Sequence, residues 1–283
     1  MVSFVAFPAP RLAAAFVLIA ALSGAAAAAE SPWTKATDSK VRLIGGAVDM
    51  DGQEKMVAGV QIRMEPGWKT YWRNPGDSGV PPTFDWSGSS NLKRADVLYP
   101  APRRFADANG AAIGYEDEVV FPVVITPERP TEPVTLKLTL AYGLCKDLCI
   151  PNEASLSLEL PPGGGADQGD ALLLARFLDL VPKLAEPGQL PAVDKVEAKL
   201  DGPAPQLAIE TLFPADATGS DLFIDVPNAY VPVPKADGPL KDGTQRFIVT
   251  FGTPAEAAAI KGKSLTLTVG YDRGARQTNW TAP

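Results

Sequence analysis

The chain reads as mainly β: a first β-sandwich, then a helix, then a second, smaller β-rich domain. Three observations predict this. Pro and Gly are plentiful, 28 and 25 residues out of 283, and punctuate the chain into short elements. Short runs alternate apolar and polar residues, the period of a half-buried strand. Helical periodicity is scarce, which argues for packed sheets rather than for helices on a sheet.

The elements follow in order. Strands are predicted over Lys40–Asp49, Glu54–Met64, Val119–Ile125, Val134–Tyr142 and Leu156–Leu160. Arg73–Gly79 (RNPGDSG) and Ala106–Gly114 (ADANGAAIG) read as turn-rich loops. Pro161–Asp170, with three consecutive glycines, reads as a linker, and Asp170 is expected to cap the helix ALLLARFLDLV, with Leu173, Phe177 and Leu180 or Val181 on one face. Pro182 and Pro187-Gly188 end that helix. Strands are predicted again over Val193–Leu200, Gln206–Leu212, Asp221–Val226, Arg246–Phe251 and Ser264–Tyr271. Thr253-Pro254-Ala255-Glu256 carries a capping box with proline at the first helical position, and Gly262 closes that short helix.

The expected organisation is a signal peptide over 1–29, a sandwich domain over 30–162, a linker and helix over 163–189 and a second β-rich domain over 190–283. The leader rests on Arg11, the apolar run Leu12–Leu22 and the small-residue site Ala27-Ala28-Ala29 before Glu30. That run is too short to span a bilayer comfortably, and no other apolar run reaches eighteen residues, so the mature chain is expected to be periplasmic with no membrane insertion.

Composition excludes several functions. Beyond the leader the chain has 25 basic and 33 acidic residues, a net charge of −8 that repels nucleic acid and anionic membranes. There is no histidine, which removes the commonest general base, the commonest metal ligand and any Ser-His-Asp or Cys-His machinery. Two cysteines without histidine make half a metal site, and Met50, Met56 and Met64 read as core filler rather than soft ligands. No metal and no cofactor is expected.

The chemistry rests on Cys145 and Cys149. Leu136, Leu138, Leu140, Tyr142 and Leu144 share one strand face, which must be the core face, so Cys145 points outward. Counting back from Leu156, Leu158 and Leu160 places Cys149 outward too, if Pro151 introduces no bulge. A three-residue hairpin loop would set the two cysteines opposite each other, with Cα atoms about 4.5–5.5 Å apart, within disulfide range. Two readings compete. One is a staple across a hairpin neck. The other is a bridge exposed so that a partner thiolate can attack it. Trp68, Tyr71, Trp72 and Trp86 are candidates for a docking surface, but core and edge packing is the preferred reading.

At these residues the chain resembles the periplasmic N-terminal domain of the DsbD/ScsB thiol:disulfide interchange proteins. The resemblance lies in Gly67–Gly79 (GWKTYWRNPGDSG), in Gly114-Tyr115-Glu116-Asp117-Glu118 leading to Phe121-Pro122-Val123, and in Cys145-Lys-Asp-Leu-Cys149-Ile-Pro151 with Glu153. It covers most of residues 40–160 and is nearest the ScsB-like branch, where a second β domain follows. It implies an immunoglobulin-like sandwich whose cysteine pair lies beside a covering loop and exchanges electrons with a thioredoxin-like partner or a membrane electron conduit. By this resemblance Cys145 and Cys149 are the catalytic pair. Phe105–Tyr115, including Asn109, is the covering loop, and Tyr142 and Glu153 flank the pair. Asp107-Ala108-Asn109-Gly110 lacks the aromatic cap of that loop in DsbD. The sequence given contains neither a membrane conduit nor a thioredoxin-like domain, so the electron source is expected to be a separate protein. A redox-inert binding module with a structural hairpin disulfide is the alternative class.

Overall fold

The computed structural model describes residues 1–2, 29–50, 52–107, 110–165 and 168–283. The leader expected over 1–29 lies outside these except at its two ends.

The first eleven strands form two facing sheets. They are β1 (Thr34–Ala36), β2 (Ser39–Met50), β3 (Gln53–Met64), β4 (Lys69–Gly76), β5 (Thr83–Asp85), β6 (Leu92–Val97), β7 (Arg103–Asp107), β8 (Gly110–Glu116), β9 (Glu118–Pro127), β10 (Val134–Cys145) and β11 (Cys149–Leu160). One sheet runs β1-β2-β3-β9-β6 and the other β11-β10-β4-β8-β7, with β5 also paired to β10. Between them lies a core that includes Val41, Leu43, Val60, Phe121, Leu138 and Leu140, each at most 2% exposed. The alternation read from the sequence is the physical cause. On β10 the leucines face in and Lys137, Thr139 and Ala141 face out; β11 repeats this with Leu156, Leu158 and Leu160 inward.

Parts of the two predicted loops are strands: residues 73–76 belong to β4, and 106–107 and 110–114 to the β7–β8 hairpin. Turn-prone residues concealed them: Asn74, Pro75 and Gly76 ride on an irregularity, where the pairing of β4 with β8 jumps from Tyr71 to Gly76.

Helix α1 (Gln168–Asp179) begins earlier than expected, so Asp170 is not its cap. It is a buried third residue, held by the Arg42 guanidinium at 2.7 Å. Leu174 and Phe177 enter the first core, while Leu180 is 45% exposed.

The remaining strands are β12 (Lys183–Leu184), β13 (Ala192–Lys199), β14 (Gln206–Leu212), β15 (Asp221–Asp225), β16 (Lys235–Ala236), β17 (Thr244–Thr250), β18 (Ser264–Tyr271) and β19 (Gly274–Thr281). They make the sheets β12-β19-β18-β15 and β13-β14-β17-β16 around a second core containing Leu207, Ile209, Phe247, Leu265 and Leu267. Between β17 and β18 lies α2 (Pro254–Ala258), where the Thr253 hydroxyl accepts from the Glu256 amide at 3.2 Å, as the capping sequence predicts.

The two units are packed together at β4, β7 and β15. Phe223 and Val233 belong to the first core, and the Phe223 ring meets Trp72 edge-on at 6.1 Å. Asn74 donates to the Ile224 carbonyl at 2.6 Å, and Arg73 pairs with Asp225 at 3.1 Å. Burial raises the Asp225 carboxyl above its usual range, against the pull of Arg73.

Candidate functional site

The β10–β11 hairpin carries the site. Its register is unbroken from Val134↔Leu160 to Cys145↔Cys149 and passes through Gly143↔Pro151 with no bulge. Both cysteines therefore keep the outward parity of their strands. They are joined as a disulfide, with Cα atoms 4.1 Å apart, closer than the expected opposed pair. Lys146, Asp147 and Leu148 make the tip, and Leu148 is 70% exposed. The two sulfurs are not equivalent: Cys149 is exposed and Cys145 half-buried.

Strand β4 lines the other side of Cys145. It pairs with β10 at a single position, Lys69↔Cys145, and then the strands part. The Thr70 hydroxyl spans the parting by donating to the Gly143 carbonyl at 2.9 Å. The Tyr71 ring fills the gap. Built Cβ atoms would stand 2.4 Å from this ring at Gly79 and 3.1 Å at Gly143. Gly79 also has φ +148, so neither position accepts a side chain without moving the ring. Held in this way, Tyr71 is 2% exposed and its hydroxyl lies 3.4 Å from Cys149 Sγ.

Cations border Cys145. Lys146 follows it in sequence and donates to the Pro66 carbonyl at 3.2 Å. Lys69 lies across the strand pair, with its ammonium 5.1 Å from the Phe105 ring centre and 3.9 Å from Glu116. Phe105 and Glu116 both belong to the β7–β8 hairpin, which therefore borders the site on β4's far side. Asp77 holds that hairpin near its turn: its amide donates to the Ala111 carbonyl at 2.9 Å and its carboxylate accepts from the Ala111 amide at 3.0 Å.

The residues expected around the pair divide. Cys145, Cys149 and Phe105 share the outward face of one sheet. Glu153 is exposed on that face, two pairs from Gly143↔Pro151 toward the hairpin base. Tyr142 does not flank the disulfide. It has the opposite parity and is buried, its hydroxyl 2.7 Å from Ser39 Oγ, and burial raises its pKa. Tyr115 is also a core residue: it donates to the Pro100 carbonyl at 2.8 Å and packs against Phe121, with its pKa raised well above the usual value by burial. Asn109 lies outside the described residues. Of the aromatic docking candidates, Tyr71 and Trp72 are buried, and Trp68 and Trp86 half-buried.

Sequence reading missed the pairing of Tyr71 with Cys149 and of Lys69 with Cys145. One signal was available. Gly143 sits on the outward face two residues before Cys145 and opens a hole that a ring can fill. Among the described residues no three Cys, Asp or Glu side chains are grouped to hold a metal ion, and no helix is long and apolar enough to cross a membrane. An open groove of about 430 Å³, lined by Asp85, Lys137, Thr139, Ser155 and Ser157, lies farther down the same face and does not touch the disulfide.

Comparison with known proteins bears on this geometry. Residues 46–161 match the family described as thiol:disulfide interchange protein DsbD, N-terminal. The chain is similar in fold to the crystal structure of the N-terminal periplasmic domain of ScsB from Proteus mirabilis. The TM-score is 0.69 and the identity 24%, over 90% of this chain and 98% of that one. No curated protein matches.

Proposed function

Taking residues 46–161 as a domain of the DsbD N-terminal type, we propose that this protein is a periplasmic thiol:disulfide exchange protein whose working group is the Cys145–Cys149 disulfide. The observation that carries the reading is the exposure of Cys149 at the tip of a hairpin, with its bonded neighbour flanked by cations. The sequence divisions at 30–162, 163–189 and 190–283 serve as the working units of this reading.

The exchange follows from the asymmetry. A thiolate of a thioredoxin-like partner attacks Cys149 Sγ in line with the S–S bond. That bond breaks as the partner–Cys149 bond forms, and Cys145 leaves as a thiolate. Lys146, next in sequence, favours negative charge there, although Asp147 opposes it. The partner's second thiolate then attacks the mixed disulfide at the partner's own sulfur and expels Cys149 as a thiolate beside the Tyr71 hydroxyl. The partner ends as a disulfide and this protein as a dithiol, with two electrons transferred. The reverse sequence reduces a substrate disulfide. The electron source is a thioredoxin-like protein or a membrane electron conduit, and the chain itself needs no cofactor.

A trap tests this. Cys145→Ser should accumulate a covalent complex between Cys149 and a thioredoxin-like partner; Cys149→Ser should accumulate far less, and the double variant none. If neither single variant captures a partner and reduced thioredoxin leaves the wild-type bridge intact for minutes, the hairpin disulfide is a staple on a binding module.

A further inference from the structure

The exchange reading uses only the first unit, yet the second unit grips the strands that border the disulfide. Arg104 lies on β7, one residue from Phe105 and on the opposite face. Its guanidinium forms a two-pronged pair with Asp221 of β15, at 2.9 and 2.5 Å. It also donates to the Pro234 carbonyl at 2.8 Å and the Leu222 carbonyl at 3.3 Å. The pair is largely sheltered, with the side chains 25% and 19% exposed. A planar guanidinium with four acceptors in two directions fixes a strand in position and orientation. A second hold lies nearer the hairpin turn. Asp77, which clasps Ala111, accepts from the Tyr230 hydroxyl at 3.4 Å, and burial followed by the Asp77 charge raises the Tyr230 pKa.

These holds lead to the cysteines through a short series of contacts. The β7–β8 hairpin carries both groups that occupy the Lys69 ammonium, Phe105 and Glu116. Lys69 is the cross-strand neighbour of Cys145. The same hairpin pairs with β4 at Tyr71↔Gly114, at the residue whose hydroxyl reaches Cys149.

We propose that the second unit is a positioning module of the exchange site: through Arg104 and Asp77 it fixes the β7–β8 hairpin, and through that hairpin it holds Lys69 away from Cys145 and shields that sulfur. The proposal rests on the exchange reading for its purpose, but not for its test. Loosening the grip frees Lys69 from Phe105 and Glu116. The ammonium can then approach a Cys145 thiolate, and the sulfur becomes more accessible.

The experiment measures thiol alkylation by iodoacetamide against pH in full-length protein carrying one cysteine. In a Cys149→Ser background, Asp221→Asn and Arg104→Gln should each speed Cys145 alkylation at least fivefold at neutral pH and move its pH profile to lower pH. Tyr230→Phe should act in the same direction, by twofold or more. In a Cys145→Ser background the same changes should alter Cys149 alkylation less than twofold. Adding Lys69→Gln to Asp221→Asn should abolish the shift of the profile. Lys261→Gln, which breaks an ion pair with Asp201 inside the second unit, is the control and should change neither cysteine. Unchanged Cys145 reactivity in folded Asp221→Asn or Arg104→Gln overturns the proposal. If both of these fail to fold, an unchanged Tyr230→Phe overturns it instead. A profile that still shifts without Lys69 overturns the route through that residue. These results are independent of the partner trap, so a failed trap with shifted alkylation removes the exchange reading alone.

Discussion

At the level of single residues, the site depends on a tyrosine that an apolar-pattern reading assigns to packing. Tyr71 is a packing residue, wedged between Gly79 and Gly143, and for that reason its hydroxyl is fixed at Cys149 Sγ. A disulfide sulfur accepts a hydrogen bond weakly, whereas a thiolate accepts one strongly, so the hydroxyl favours the reduced state. Tyr71→Phe should forfeit about 0.5–1.5 kcal/mol of that preference. For a two-electron couple this lowers the reduction potential by roughly 10–30 mV. Equilibration of the purified protein with glutathione redox buffers measures it. An unchanged or higher potential would separate the hydroxyl from the chemistry.

At the level of elements, the β10–β11 hairpin was legible before any coordinates, and the strands beside it were not. Val134 to Cys145 alternates so regularly that the face of every residue follows, and Pro151 sits in the ladder without disturbing it. The sequence around β4 and the β7–β8 hairpin signals turns instead. Asn74, Pro75 and Gly76 are turn residues placed in an irregular strand, and Gly110 and Gly114 interrupt the alternation of β8. Those elements bring Lys69, Tyr71 and Phe105 to the site, so the cysteines could be found by parity but not their neighbours. Tyr142 is the reverse case. Its parity marked it as a core residue, and nearness in sequence to Cys145 did not make it a neighbour of the sulfurs. The disulfide closes a very short loop, which limits what it adds to stability. Cys145→Ser with Cys149→Ser should fold and lose about 1–2 kcal/mol or less in a urea melt, whereas a loss above about 4 kcal/mol would mark a structural staple.

Across the whole molecule, two hydrophobic cores are joined by side chains that cross from one unit into the other. Phe223 extends from β15 to Trp72, so the first sandwich is completed by a residue 151 positions away in the chain. Phe223→Ala should therefore cost about 3–5 kcal/mol, the usual loss for a buried phenylalanine. Hydrogen exchange should rise in β4 as well as in β15. Protection lost in β15 alone would mean the first core is self-sufficient. One further consequence follows from the outermost strand of the cysteine-bearing sheet. At the opposite edge, β11 is partly covered by the β1 segment, where Thr37 donates its amide to Asn152. Among the described strands, β7 pairs only with β8 and is the other end of that sheet. An uncovered end invites a strand from another molecule, which would bring two disulfides together and risk covalent scrambling. Arg103 is exposed there, and two copies meeting edge to edge would bring like charges together. Charge at this edge discourages self-association in concentrated solution.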